Sequence, residues 1–260
     1  MRLSFVVPTR NQAPFLRRCL DSCIAQAIPD SEIIVVDGAS TDGSQAILAS
    51  YGDRVAWTSE RDSGQAEAIN KGIARASGEV IAWINSDDYY PDPGCVRAAL
   101  DELDREPAVD VVYGDALVVT ADGEPIRAYV NRDFASARDV VVAPIGPPQP
   151  ATIFRRDVFL QSGGLREDLH FTLDYELWIR MFPLARGIRR VHRALACMAF
   201  HPGAKSTYAM LPQIREQAAV KYRAASTLGL GLVDRLRIAV GVGLNLAYWA
   251  AVRTGLRRAA

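Results

Sequence analysis

The stretch Val80-Ile-Ala-Trp-Ile-Asn-Ser-Asp-Asp-Tyr-Tyr-Pro-Asp92 opens as an apolar run and ends abruptly in two adjacent carboxylates, Asp87 and Asp88. Strands buried on both faces of a parallel sheet read as such runs. In an open α/β sheet the ligand crevice lies outside the carboxyl ends of the strands, so a bare acidic pair there has the chemistry for a divalent metal and the phosphate it carries. The alternative reading is a plain turn, since Ser, Asp and Pro are turn residues.

The segments before it repeat the pattern. Leu3–Val7 reads as a buried strand, and Leu16, Cys19, Leu20, Cys23, Ile24 and Ala27 follow the i, i+3, i+4, i+7 spacing of an amphipathic helix. Glu32–Asp37 is a second strand, which makes a strand–helix–strand unit with a parallel, right-handed crossover. Val55–Thr58 and Glu79–Ile84 are two more, with a helix from about 63 to 76 between them through Ala66, Ile69 and Ile73. The expectation is an α/β fold: a Rossmann-like, mostly parallel sheet flanked by helices. Beyond residue 93, Val96, Ala99, Leu100 and Leu103 line one face of a helix. Val109–Tyr113 is a strand, and Leu117–Thr120 and Ile126–Val130 flank the hairpin signal Asp122-Gly123. The Pro-rich stretch Ala143–Pro150 reads as a fixed, extended loop.

A chain of 260 residues, 49% hydrophobic and 23% charged, has ample material for a core. Thirty basic and thirty acidic residues give no case for nucleic acid binding. From Met210 onward eight basic residues face only Glu216 and Asp234, so the body is acidic and the tail basic. Four cysteines are too few for a disulfide scaffold, and Cys19 and Cys23 fall on the apolar stripe as packed thiols. No signal-peptide pattern opens the chain, and the expected location is the cytoplasm.

Three strands end in polar residues: Pro8-Thr-Arg-Asn11, Asp37-Gly-Ala-Ser-Thr-Asp42 and Asn85-Ser-Asp-Asp88. Asp37 has the chemistry to accept hydrogen bonds from a base or ribose, and Arg10 to face a diphosphate. Thr41 and Asp42 read first as an N-cap of the following helix. Asp62 and Gln65 have capping-box spacing, which leaves Asn70 and Lys71 as candidates for holding the nucleotide or the metal-bearing loop. No Gly-x-Gly-x-x-Gly follows Val7 or Val36, which disfavours a Rossmann oxidoreductase.

Together, Val6-Val-Pro-Thr-Arg-Asn11, Val35-Val-Asp-Gly-Ala-Ser-Thr-Asp-Gly-Ser44, Asp62-Ser-Gly-Gln65 with Ala68-Ile-Asn-Lys-Gly72, Gly78-Glu79 and Asn85-Ser-Asp-Asp88 resemble family 2 glycosyltransferases, which have the glycosyltransferase-A fold. The resemblance runs to about residue 207. It implies a catalytic domain over residues 1–207, with its nucleotide-sugar-binding region at 1–115 and its acceptor-binding region at 116–207, and a helical, basic extension over 208–260. It also implies an inverting, metal-dependent enzyme using a nucleoside-diphosphate sugar, with UDP as the expected nucleotide, and a saccharide or glycolipid acceptor in bacterial surface polysaccharide or glycolipid assembly. Donor contacts are expected from Pro8, Thr9, Arg10, Asn11, Asp37, Ser40, Asp62, Gly64, Gln65, Asn70, Lys71, Ser86 and Asp87, with Asp37 near the base and Asp87 near the ribose or sugar. Asp88 is expected on Mn²⁺ or Mg²⁺. Many relatives carry a second Asp where this chain has Gly38, and the Asp-x-Asp form of the metal motif would put Ser86 at its first position. A sugar-phosphate nucleotidyltransferase would need a Gly-rich basic loop after the first strand, where this chain has Thr9-Arg-Asn-Gln-Ala13; a non-catalytic nucleotide-sugar-binding protein is the other alternative.

Further on, Gln149–Arg156, Gly163-Gly-Leu165 and Leu173-Asp-Tyr-Glu-Leu-Trp-Ile-Arg180 are similar to the family's acceptor-side segment, where an acid at a helix start is the general base. By position that is Asp174, with Glu176 the other carboxylate; capping by Thr172 and a helix-dipole role for the acids is the structural alternative. His201, after an expected strand at Ala194–Phe200, resembles the late histidine that reaches the metal or diphosphate.

The tail carries a mostly apolar run, Ile238–Val252, too short for the roughly 20 residues that span a bilayer. It is expected either to lie on an anionic membrane surface, with Leu244, Tyr248 and Trp249 at the interface and Arg235, Arg237, Arg253, Arg257 and Arg258 at the headgroups, or to pack on the domain or on a second subunit as a homodimer.

Overall fold

The apolar runs at residues 3–7, 32–37 and 80–84 become strands of one sheet. A computed structural model describes residues 2–205 and 210–256, the side chains of 210 and 248–256 excepted. Strands β1 (Leu3–Thr9), β2 (Glu32–Asp37), β3 (Ala56–Ser59) and β4 (Val80–Trp83) pair in parallel, in the order β3-β2-β1-β4. Helices α1 (Ala13–Ile24), α2 (Ser44–Ala49) and α3 (Gln65–Arg75) make the crossovers, and α4 (Cys95–Arg105) follows β4. Alternate residues of β1 serve opposite faces. Leu3, Phe5 and Val7 pack with Leu16 and Cys19 of α1 and with Val96 and Leu100 of α4, while Val6 meets Ile69 and Ile73 of α3. All four cysteines are free and buried.

The second half extends the sheet. β5 (Val111–Thr120) and β6 (Pro125–Tyr129) form the expected hairpin, whose turn residue Gly123 has φ +97°. After α5 (Ala137–Val142), β7 (Thr152–Arg155) inserts antiparallel between β4 and β5. α6 (Arg156–Gln161) and α7 (Leu173–Met181) lead to β8 (Ile188–Phe200), which lies parallel to β5 along its length. α8 (Met210–Thr227) and α9 (Leu232–Leu256) complete the described chain. Among the described residues no helix is long and apolar enough to cross a membrane.

Several expectations change. The strands expected at Val109–Tyr113 and Leu117–Thr120 merge into one, Val111–Thr120, running through residue 115. Gly114 makes this continuity feasible, because a Cβ there would fall 2.5 Å from Leu195 Cγ of β8, where the ladder shifts register. The strand expected at Ala194–Phe200 begins six residues earlier, supported by that same ladder. α1 stops at Ile24, and Ala27 is exposed with φ +48°. β7 and α5 have no counterpart in the sequence pattern. The Pro-rich segment is irregular as expected, but its end closes into a single 3₁₀ turn, Gln149–Ala151. Tyr248, Trp249 and Arg253 have side chains outside the described residues, as do Arg257 and Arg258 altogether.

Candidate active site

The acidic turn at the end of β4 is built from both ends of the chain. Asp88 N donates to Asn85 O at 3.0 Å, and Tyr89 exchanges two backbone hydrogen bonds with Cys197 of β8. Long-range pairing thus stitches the turn to a strand more than a hundred residues away. Asp88 is buried, and its carboxylate accepts from Ala199 N at 3.1 Å and Asn85 Nδ2 at 3.4 Å. Burial, and secondly the charge of Asp87, raise its pKa well above the usual carboxylate value. Where β8 ends, His201 Nε2 lies 3.1 Å from Asp87 Oδ2, its ring held against Phe15 at a centroid distance of 4.3 Å.

A cavity of about 580 Å³ opens over this edge. Pro8, Thr9, Arg10, Asp62, Gly64, Gln65, Ser86, Asp87 and Asp88 line one side; Arg127, Tyr129, the 145–150 segment, Asp174 and Tyr175 line another. Thr9 Oγ1 and Gln149 Oε1 are buried without a hydrogen-bond partner among the described residues. Such orphaned polar atoms in a cavity wall are the kind a polar ligand satisfies. Gln65 Nε2 donates to Asn85 Oδ1 at 2.7 Å while its Oε1 accepts from Lys205 Nζ at 2.9 Å, which ties the start of α3 to the loop after β8.

Asp174 begins α7. Burial pushes its pKa up to about 6, against backbone hydrogen bonds from Tyr175 and its own N–H that lower it. Thr172 occupies the N-cap position, but its hydroxyl does not cap the helix. Instead Glu216 of α8 accepts from His170 N, Phe171 N, Thr172 N and Thr172 Oγ1 at 2.8–3.0 Å. These bonds hold the Glu216 pKa down against its burial. Lys221, also on α8 and fully buried, donates to Ala143 O at 2.5 Å and sits over the Tyr175 ring; burial lowers its pKa to about 8. Neither α8 residue carries a local sequence signal for these contacts. Arg127 and Tyr129 also lie beyond sequence reasoning, because a hairpin strand reads only as a strand.

Seven candidates lie outside the cavity wall. Asp37 is fully buried, and its carboxylate accepts from Ser40 N and Oγ and from Ser59 Oγ. Ser40 Oγ in turn accepts from Asn11 N at 2.7 Å. Asn70 splints α3 to the loop before α7 through Leu165 N and O, both at 2.9 Å. Lys71 pairs with Glu60 and Glu67, and both Glu176 oxygens are held by Arg180 at 2.7–2.9 Å. His201, the seventh, touches the wall through Asp87. The caps differ from expectation as well. Gly64, not Asp62, is the N-cap of α3, and Gly43 is that of α2. Asp42 bonds the first residues of two helices, Ala13 N at 2.8 Å and Ser44 N at 3.0 Å. A Cβ on Gly38 would fall 2.7 Å from Asp62 Oδ2 and 3.2 Å from Arg10 Cδ, so Asp62 occupies the space a side chain at 38 would need.

Among the described residues no three His, Cys, Asp or Glu side chains form a ready metal cage. The donor set still suits Mg²⁺ or Mn²⁺, since such ions are commonly held by one or two carboxylates, with substrate phosphates completing the shell. Asp88, buried beside a second carboxylate and raised in pKa, is the environment a cation relieves.

Residues 4–160 match the model of glycosyl transferase family 2. An uncharacterized glycosyltransferase of Rickettsia prowazekii is 28% identical over 82% of this chain and 68% of its own. A PGL/p-HBAD biosynthesis glycosyltransferase of Mycobacterium bovis is 34% identical over 69% of each. The relatives from Rickettsia conorii and Rickettsia felis are spanned for only about a third of their length. Among solved structures, the mannosyltransferase PcManGT from Pyrobaculum calidifontis, in complex with GDP-Man and Mn²⁺, superposes with TM-score 0.66 at 21% identity, over 99% of this chain and 80% of that one. S. aureus TarS 1-349 in complex with UDP-GlcNAc gives TM-score 0.66 at 18% identity, over 94% and 80%. Both neighbours share the glycosyltransferase-A architecture of the sheet described above. With the family model covering more than half of its length, this chain belongs to glycosyl transferase family 2 and is a glycosyltransferase.

Proposed function

We propose that the chain transfers a sugar, with inversion at the anomeric carbon, from a nucleoside-diphosphate donor to a hydroxyl of a saccharide or glycolipid, in bacterial surface polysaccharide or glycolipid assembly on the cytoplasmic side of the membrane. The observation that carries this reading is that Asp174, with a pKa near 6, lines the same cavity as Asp87 and Asp88. Acid–base groups work best with a pKa near the operating pH, and Asp174 is the cavity carboxylate on the acceptor side. Glu176 is the weaker candidate because Arg180 engages both its oxygens.

In the proposed cycle Thr9, Arg10, Asp62 and Gln65 line the donor pocket, and UDP is the favoured donor nucleotide. Asp37 supports that pocket indirectly, by fixing Ser40 and Ser59. A divalent cation held by Asp88 and Asp87, when bound, supplies charge against the diphosphate leaving group. His201 orients Asp87, and Arg10 and Lys205 add positive charge on the leaving-group side. Asp174 takes the proton of the acceptor hydroxyl as that oxygen attacks, and one displacement inverts the centre. A thermal-shift screen of nucleotide sugars with Mn²⁺ tests the donor side, because a ligand well above its Kd stabilises by RT ln(1 + [L]/Kd). A UDP-sugar should raise Tm only with the metal present; no shift with any nucleotide sugar would refute the reading.

A further inference from the structure

α9 turns an unusually apolar face to solvent. Leu232, Leu236, Val240 and Leu244, each four residues from the next, are 56–73% exposed, and Val233 and Leu246 widen the strip. At 100° per residue these positions share one side of the helix. Every other exposed position from 232 to 247 is Ala or Gly, apart from Arg237. Arg235 and Arg237 sit at the two edges of the strip. The helix's acid among the described residues, Asp234, is buried on the opposite side, where Arg138 holds both its oxygens and Arg237 reaches one at 3.3 Å. That inner side also carries buried Ile238, and Gly241, where a Cβ would lie 3.6 Å from Pro144.

We propose that the outer face of α9 is a docking surface for an anionic lipid bilayer, lying in the headgroup region rather than crossing it. An apolar patch of this extent rimmed by basic residues is the pattern of interfacial helices. The packed inner side excludes insertion on all sides. Charge decides the occupant. A second copy would bring its own Arg235 and Arg237 to a strip that has no acid to meet them, whereas anionic headgroups supply the counter-charge. Gly241 packs beside Pro144, which leads directly into the cavity-wall segment 145–150, so docking sets the start of that segment about one helix diameter, ~10 Å, from the membrane. Resting on the proposed acceptor reading, that is where a lipid-linked saccharide would enter.

The test is sedimentation of the full chain with phosphatidylcholine vesicles, with and without phosphatidylglycerol. Binding is expected with phosphatidylglycerol, weaker without it and weaker in high salt. Leu236→Ser, Val240→Ser and Leu244→Ser combined should lower partitioning on the order of tenfold or more, with melting temperature and UDP-induced thermal shift unchanged, since all three side chains are exposed. Should that variant misfold, Arg235→Gln with Arg237→Gln should remove the preference for phosphatidylglycerol. Absence of wild-type binding, or equal binding by the triple variant when folded, overturns the proposal. So does a concentration-dependent dimer that the triple substitution abolishes, which would assign the face to a second copy. No arm requires sugar transfer, so failure here leaves the proposed chemistry standing.

Discussion

The two walls of the cavity are held by different means. The donor wall hangs on parallel strands, with Thr9, Arg10, Ser86, Asp87 and Asp88 leaving the ends of β1 and β4 whose other residues are core. The acceptor wall is a helix start and a Pro-rich loop, clamped from outside by two α8 side chains, Glu216 and Lys221. Damage to the first should therefore act through the core and be global; damage to the second should act through single polar contacts and be local.

The largest expected effect separates the walls by chemistry. Asp174→Asn should lower turnover by about 10²–10⁴, the range for a positioned base, while leaving donor affinity intact. In the wild type the rate should rise with pH through about 6 as Asp174 loses its proton. Its folded pKa lies above the unfolded value, so the native state binds the proton more tightly and stability falls as pH rises from about 4 to 6. The substitution should accordingly raise the melting temperature at neutral pH, by a gain that vanishes in acid. A pH-independent gain in calorimetric scans would place the cause elsewhere.

Next is the core beneath the donor wall. Leu16 of α1 is fully buried against β1, and Leu16→Ala should cost about 2–5 kcal/mol in chemical denaturation, lowering activity only as the folded fraction falls. Smaller and more selective is Glu216→Ala, which strands three backbone N–H groups and one hydroxyl before α7. A loss of about 1–3 kcal/mol, with a fall in kcat that exceeds any change in donor Kd, is expected. An equal fall in donor affinity would show that the walls are not independent. Smallest is Lys71→Ala: its ion pairs with Glu60 and Glu67 are only partly shielded from solvent, so melting temperature should fall little and donor affinity should stay put.

The same contrast explains what can be read from residues alone. β1, β2 and β4 are legible because strands buried on both faces leave continuous apolar runs, and the acidic turn is legible because two carboxylates ending such a run have few other uses. That Asp37 is consumed by Ser40 and Ser59 is not, since neither spacing nor residue type tells whether a carboxylate at a strand end faces a ligand or its own loop. β7 escapes because four residues after a proline run are too short for periodicity. Glu216 and Lys221 escape for a different reason: their partners lie 44 and 78 residues away, and a helix pattern says nothing about what a polar side chain will meet.

Donor binding by titration calorimetry in Mn²⁺, comparing wild type, Asp88→Ala and Asp174→Asn, tests the shared cavity most directly. The account predicts that Asp88→Ala loses metal-dependent affinity while Asp174→Asn binds as the wild type does yet scarcely turns over. Unchanged affinity in Asp88→Ala would contradict it.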